Sequence, residues 1–143
     1  MPGPGLDASD ALDAIHRAMI LFSRGSRVRS NELYEGLGFV PYTLLSSVDL
    51  ADCAHAADLA QEYGLDPSTV SRQLAELEDA GLLVRGPDPH HSRKQRLELT
   101  AAGRCAVATT RAAQRERLAE RLQDWPRHDV TEFGRLLTRF VAD

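Results

Sequence analysis

The stretch "LDPSTVSRQLAELEDAGLLVR", Leu65 to Arg85, opens with hydroxyls, a guanidinium and an amide, and closes with carboxylates. Asp66 is a strong N-cap residue and Pro67 fits the first helical position, so a helix begins here. Val70, Leu74 and Leu77 recur along one face of it. At about 100° per residue, Ser68, Thr69 and Arg72 point away from that face, with Ser71 and Gln73 at its margins. These side chains suit a polyanion with readable edges. Ser and Thr hydroxyls bond phosphates or bases, Arg forks onto guanine, and Gln pairs with adenine. The helix N-terminus adds backbone N–H groups and a partial positive charge. An amphipathic helix of this kind also occurs in proteins that never meet nucleic acid, so the helix alone leaves both readings open.

The residues just downstream tip the balance. "LLVRG" and "RLELT" have the character of two short strands, Leu97 and Leu99 alternating with Glu98, around the polar loop "PDPHHSRKQ". Arg85, Arg93, Lys94 and Arg96, with His90 and His91, place positive charge on this hairpin, where it has no core role. Glu76, Glu78 and Asp79 fall in the half of the helix that points away from a groove. Asp52, Asp58, Glu62 and Asp66 precede the helix in a stretch without Lys or Arg. The formal charge of −4, from 17 basic and 21 acidic residues, argues against indiscriminate coating of nucleic acid. It leaves room for a local basic surface, because steering depends on the distribution of charge.

The elements that must position these residues follow from periodicity. After the tail "MPGPG", Leu12, Ile15, Met19 and Phe22 recur at helical spacing, capped by Asp7 or Ser9, in a helix that runs to about Ser26 or somewhat beyond. "YEGLGFVP" breaks it. A second helix lies in "PYTLLSSVDLADCA", with Leu44, Leu45, Val48 and the Ala51/Ala54 pair as its stripe. A short third helix, "AADLAQEY", ends at Gly64, a good left-handed C-cap. Gly81 ends the fourth. A long helix runs from Thr100 to about Trp125, where Pro126 stops it. A last one, "DVTEFGRLLTRFVAD", carries Val130, Phe133, Leu136, Leu137 and Phe140. The expected fold is mainly α with a small β-hairpin wing: a winged helix–turn–helix core between flanking helices.

A chain of 143 residues, 43% hydrophobic and 27% charged, has the composition of one globular domain. No stretch approaches the ~20 apolar residues of a membrane span, and the start has no basic-then-apolar export pattern. Cys53 and Cys105 make no disulfide framework, and the expected setting is a reduced cytoplasm. No Ser/His/Asp grouping, phosphate loop or metal set is present, so catalysis is not expected.

With "AADLAQEYGLDPSTVSRQLAELEDAGLLVRGPDP" and "RLELTAAG" the chain resembles the MarR family of transcription regulators. The resemblance runs from about Pro41 to Gly103, and the helical plan extends it over nearly the whole chain. It implies a homodimer built from the flanking helices, residues 6–40 and 101–143, around a DNA-binding lobe at 41–100. It implies major-groove contacts at Ser68, Thr69, Ser71, Arg72 and Gln73, and a minor-groove wing arginine at Arg93, with Arg85 and Lys94 beside it. The partner would be double-stranded DNA, bound as an inverted repeat, most often for repression. At the wing tip the family's Asp-Arg-Arg is replaced by His91-Ser92-Arg93, which puts the ordering of the wing in question. "DCAHA" departs from the pattern that precedes the third helix, so the family's small third strand is expected to be missing.

Many members of the family answer to small aromatic compounds bound between the dimerisation helices and the DNA lobe. Phe22, Tyr34, Phe39 and Tyr42 are the candidates to line such a pocket, against the plainer reading as core or interface residues. Cys53, near His55, is the one candidate for an oxidant-sensing thiol, but Asp52 beside it would raise its pKa. Cys105 has the setting of a small packing residue. In a family with a zinc-sensing branch, Cys53, His55 and Asp58 are conceivable ligands, yet their spacing matches no metal pattern, and no metal or cofactor is expected. The competing function is a winged-helix module that uses the same helix on a protein partner.

Overall fold

The computed structural model describes residues 7–33 and 37–142, with side chains described for 7–24 and 37–142. The tail at residues 1–5 and Tyr34 lie outside the described residues. In chain order the elements are α1 (Ala8–Leu33), α2 (Phe39–Leu50), α3 (Ala56–Glu62), α4 (Pro67–Asp79), β1 (Leu83–Pro87), β2 (Gln95–Leu99), α5 (Ala101–Arg121) and α6 (Arg127–Ala142). Among the described residues, no helix is long and apolar enough to cross a membrane.

The core is built where the helix–turn–helix meets α2, the hairpin and the start of α5. Leu44 and Leu45 of α2, Val70 and Leu74 of α4, Leu83 of β1 and Val107 of α5 are all fully buried there. These side chains come from the apolar stripes that the sequence displays, and removing such surface from water is what holds the lobe together. Strands β1 and β2 are antiparallel, with Leu83 opposite Leu99 and Arg85 opposite Leu97. Leu83, Leu97 and Leu99 face the core.

The bounds of α2, α5 and α6 differ from expectation. Helix α2 begins two residues before Pro41 and ends at Leu50. Ala51 is already extended, and buried Ala54 accepts a hydrogen bond from the Leu97 N–H at 2.9 Å instead of joining the helix. The small third strand is therefore reduced to a single bridge, Ala54 to Leu97. Helix α5 ends at Arg121, short of Trp125. A tight turn follows in which the Trp125 N–H reaches the Leu122 carbonyl at 2.9 Å, because the residue before a proline avoids helical geometry. Pro126 then starts α6 rather than merely ending α5, its carbonyl accepting from Val130.

The outer helices are poorly covered in the single chain. Leu12, Ile15, Met19 and Phe22 of α1 and Phe133, Leu136, Leu137 and Phe140 of α6 are all exposed. No residue of α6 is buried. Trp125 stacks at a tilt on Phe133, ring centroids 5.6 Å apart, and fastens the α5–α6 corner.

The start of α5 is joined to the end of the helix–turn–helix by backbone contact. Thr100 caps α5 by accepting from the Gly103 N–H at 3.0 Å, while its own hydroxyl donates to the Gly81 carbonyl at 2.6 Å. Gly103 lies so close to the chain that a Cβ built there would sit 2.0 Å from the Leu82 carbonyl oxygen. Helix propensity alone would make Gly103→Ala stabilising by about 1 kcal/mol. The contact with Leu82 reverses the sign. Gly103→Ala is expected to lower stability by roughly 1–3 kcal/mol, the range for overpacking a tight site. Chemical denaturation of the two proteins measures it.

Candidate nucleic-acid interface

The turn between α3 and α4 requires Gly64. It adopts φ +58°, a left-handed conformation that residues with a Cβ rarely take, and the Leu65 N–H closes the turn on the Ala60 carbonyl at 3.0 Å. Tyr63 ties the end of α3 to α2 by a hydroxyl–hydroxyl hydrogen bond with Ser47. Asp66 caps α4, accepting from the Ser68 N–H at 2.8 Å and also from the Ser68 hydroxyl. Those bonds, the hydroxyl's first, hold the Asp66 carboxyl below its usual pKa. Pro67 occupies the first turn as expected.

With Val70, Leu74 and Leu77 buried, the opposite face of α4 is free. Ser68, Ser71 and Arg72 are exposed, and Thr69 and Gln73 are half-buried at the margins. Ser68 differs from the others because its hydroxyl proton is committed to Asp66. Among the described residues Arg72, Arg93 and Lys94 form no ion pair. Arg85 does. Its Nε donates to Glu78 Oε2 at 2.7 Å, so a carboxylate of α4 holds the first wing arginine against the helix. A cleft of about 750 Å³ between the start of α3 and the wing is lined by His55, Arg85, Arg93 and Lys94, among others. The hairpin thus brings Arg85, Arg93 and Lys94 to one concavity.

The wing is ordered from a residue that the sequence reading passed over. Asp88, at the end of β1, has a side chain only 1% exposed. Its Oδ1 accepts from the His90 N–H at 2.7 Å, which folds the loop, and its Oδ2 lies 2.6 Å from His55 Nε2. The His90 N–H and the His55 ring pull the Asp88 pKa down to about 2. His55 Nδ1 lies 3.0 Å from Asp58, and bonding to Asp88 and then Asp58 raises the His55 pKa. His91, in the place where an Asp was expected, stands edge-on to His55 with ring centroids 6.3 Å apart. The signal for Asp88 was present in the Asp-Pro-His turn at the hairpin mouth, but its partner is 33 residues away.

Phe22 and Phe39 are exposed, while Tyr42 packs partly buried against the core. These three line neither the wing cleft nor a second cleft of about 310 Å³ bordered by Asp49, Asp52, Arg96 and Arg104. Cys53 is exposed, and partial desolvation and the Asp88 carboxylate push its thiol pKa up. It therefore lacks the lowered pKa of a reactive thiol, with Asp88 rather than Asp52 responsible. Cys105 is exposed on α5, not packed as its alanine-rich setting implied.

The comparisons agree with this architecture. The MarR family model matches residues 35–94. The uncharacterized HTH-type transcriptional regulator YxaD of Bacillus subtilis (strain 168) is 34% identical over 98 residues, which are 68% of each chain. The crystal structure of the MarR family transcription regulator SP03579 superposes with a TM-score of 0.77 at 25% identity, over 94% of this chain and 95% of that one. A MarR family protein from Bacillus stearothermophilus reaches 0.80 at 17% identity, over 95% and 96%. A mutant MarR from E. coli, complexed with operator DNA, has the same fold at a TM-score of 0.68 and 19% identity, over 94% and 98%.

The Asp66 cap yields a pH prediction. Its carboxyl pKa is depressed by folding, so its contribution is complete above the unfolded value of about 3.9 and disappears as pH falls through the lower folded value. Asp66→Ala should therefore melt below the parent at neutral pH, with the gap closing under acid conditions. Parallel thermal scans from pH 7 to pH 2 follow it. On its helix–turn–helix, its wing and its relatives, the chain belongs to the MarR family of transcription regulators.

Proposed function

We propose that this regulator is a cytoplasmic homodimeric repressor, whose two α4 helices and two wings bind one pseudo-palindromic operator in double-stranded DNA. The carrying observation is the polar front of α4, with Arg72 in no ion pair among the described residues, beside a wing whose Arg93 and Lys94 are likewise in none. Thr69, Ser71, Arg72 and Gln73 read the major groove, and Ser68, whose N–H and hydroxyl proton are both held by Asp66, offers its hydroxyl oxygen as an acceptor. Arg93 and Lys94 take the wing side, and Arg85 stands behind them on Glu78. The exposed apolar stripes of α1 and α6 support dimerisation, because two-fold symmetry buries the same patch on both copies. The 41–100 lobe then carries DNA contact and the flanking helices carry assembly. Phe22 of α1, Phe39 and Tyr42 of α2, and Tyr34 between them in sequence are the proposed lining for a small aromatic effector.

A binding selection on random duplex DNA at moderate salt tests the reading. An inverted repeat with half-sites about one helical turn apart is expected, with affinity falling steeply as salt rises. Recovery of no motif by a folded dimer would sink the operator reading and favour a protein partner for α4. On the selected site, Arg72→Ala should cost roughly 1–3 kcal/mol and relax the preference at one base pair. Arg93→Ala should weaken all sequences nearly equally and reduce the salt slope by about 1. Fluorescence anisotropy against a panel of single-base variants separates the two.

A further inference from the structure

Three potential ligand atoms converge between the segment before α3 and the mouth of the wing. Cys53 Sγ lies 3.7 Å from His55 Nε2 and 3.7 Å from Asp88 Oδ2, and the latter two are 2.6 Å apart. Edges of a tetrahedral zinc site with one sulfur, one nitrogen and one oxygen are about 3.4–3.6 Å, from the usual metal–ligand lengths. The two sulfur edges already match. The His55–Asp88 edge needs to open by about 0.8 Å, within reach of small side-chain rotations.

What each residue does with its other polar atom strengthens the case. Asp88 Oδ1 is held by the His90 N–H, which leaves Oδ2 turned toward the cluster. His55 Nδ1 is held by Asp58, which leaves Nε2. A carboxylate behind a ligating imidazole is the arrangement that fixes ring orientation at metal sites. Asp58, a ligand candidate by sequence spacing, thus takes the supporting position, and Asp88 takes the third corner. Lys94 and Arg96 act electrostatically on His55 and Cys53 and offset part of the negative charge.

The geometry points to a site for one borderline divalent cation of the zinc class, bound by Cys53 Sγ, His55 Nε2 and Asp88 Oδ2, with a fourth position for solvent. A thiolate and an imidazole favour zinc or cobalt over magnesium or calcium, which take oxygen ligands. A bound ion would clamp the wing loop to the start of the helix–turn–helix. The site rests on the geometry of the chain and not on operator binding.

The test uses the full, untagged chain, reduced and stripped with chelator, and titrates it with cobalt(II) followed by zinc(II). One cobalt per chain is expected, with a thiolate-to-metal charge-transfer band that zinc abolishes by displacement. Cys53→Ser should remove the band, and Asp88→Asn should weaken binding at least 10-fold. Asp58→Asn, which keeps all three ligands, should weaken it about 10–100-fold. Far-ultraviolet circular dichroism checks that each variant is folded. Absence of a band in the parent protein, or a band of unchanged affinity in folded Cys53→Ser, would overturn the site.

Discussion

The structure depends most on a knot of backbone contacts where four elements meet. The Thr100 N–H donates to the Leu82 carbonyl at 3.1 Å, and its hydroxyl links the Gly81 carbonyl to the Gly103 N–H. Leu82 in turn donates to the Leu77 carbonyl, the last buried leucine of α4, and Arg104 reaches the Leu99 carbonyl at the end of β2. The end of α4, both strands and the start of α5 are therefore fixed to one another within a few residues. The backbone groups drawn together at this crossing pair with one another, whether half-buried like those of Leu82 and Thr100 or exposed like that of Gly81. The front of α4 and the wing derive their relative placement from this knot.

The acidic balance of the chain is reconciled by where its charges are spent. Glu78 holds Arg85, Asp66 caps α4, and Asp88 with Asp58 brackets His55, so several carboxylates work internally. Among the described residues, Arg72, Arg93 and Lys94 are left exposed without an ion pair. The wing also shows how an altered motif is accommodated. With His91 at the tip in place of the expected Asp, the loop is organised from Asp88, three residues earlier, through His55 on the far side of the cleft.

Much of this was legible in the sequence, because helices that bury one stripe advertise it in their spacing. The Asp66-Pro67 start, the Gly64 turn, the buried face of α4 and the two strands were all readable from local chemistry. Local chemistry fails where a residue obeys a distant partner. Ala54 looked helical beside Ala51 but is drawn out by Leu97, and Asp88 looked like a turn residue until His55 came to it across 33 positions. Gly103 stands in the sequence as part of a pattern, while its physical reason, the Leu82 carbonyl, is visible only in three dimensions.

Because α5 is joined to the winged lobe at its first turn, it is also a lever. Its 21 residues span roughly 31 Å at 1.5 Å per residue. A tilt of about 5° around its far end displaces the Thr100–Gly103 knot by about 3 Å, close to the spacing of successive base pairs at 3.4 Å. A tilt of the outer helices by a few degrees is thus magnified, over the length of α5, into a displacement of ångströms at the joint with the winged lobe.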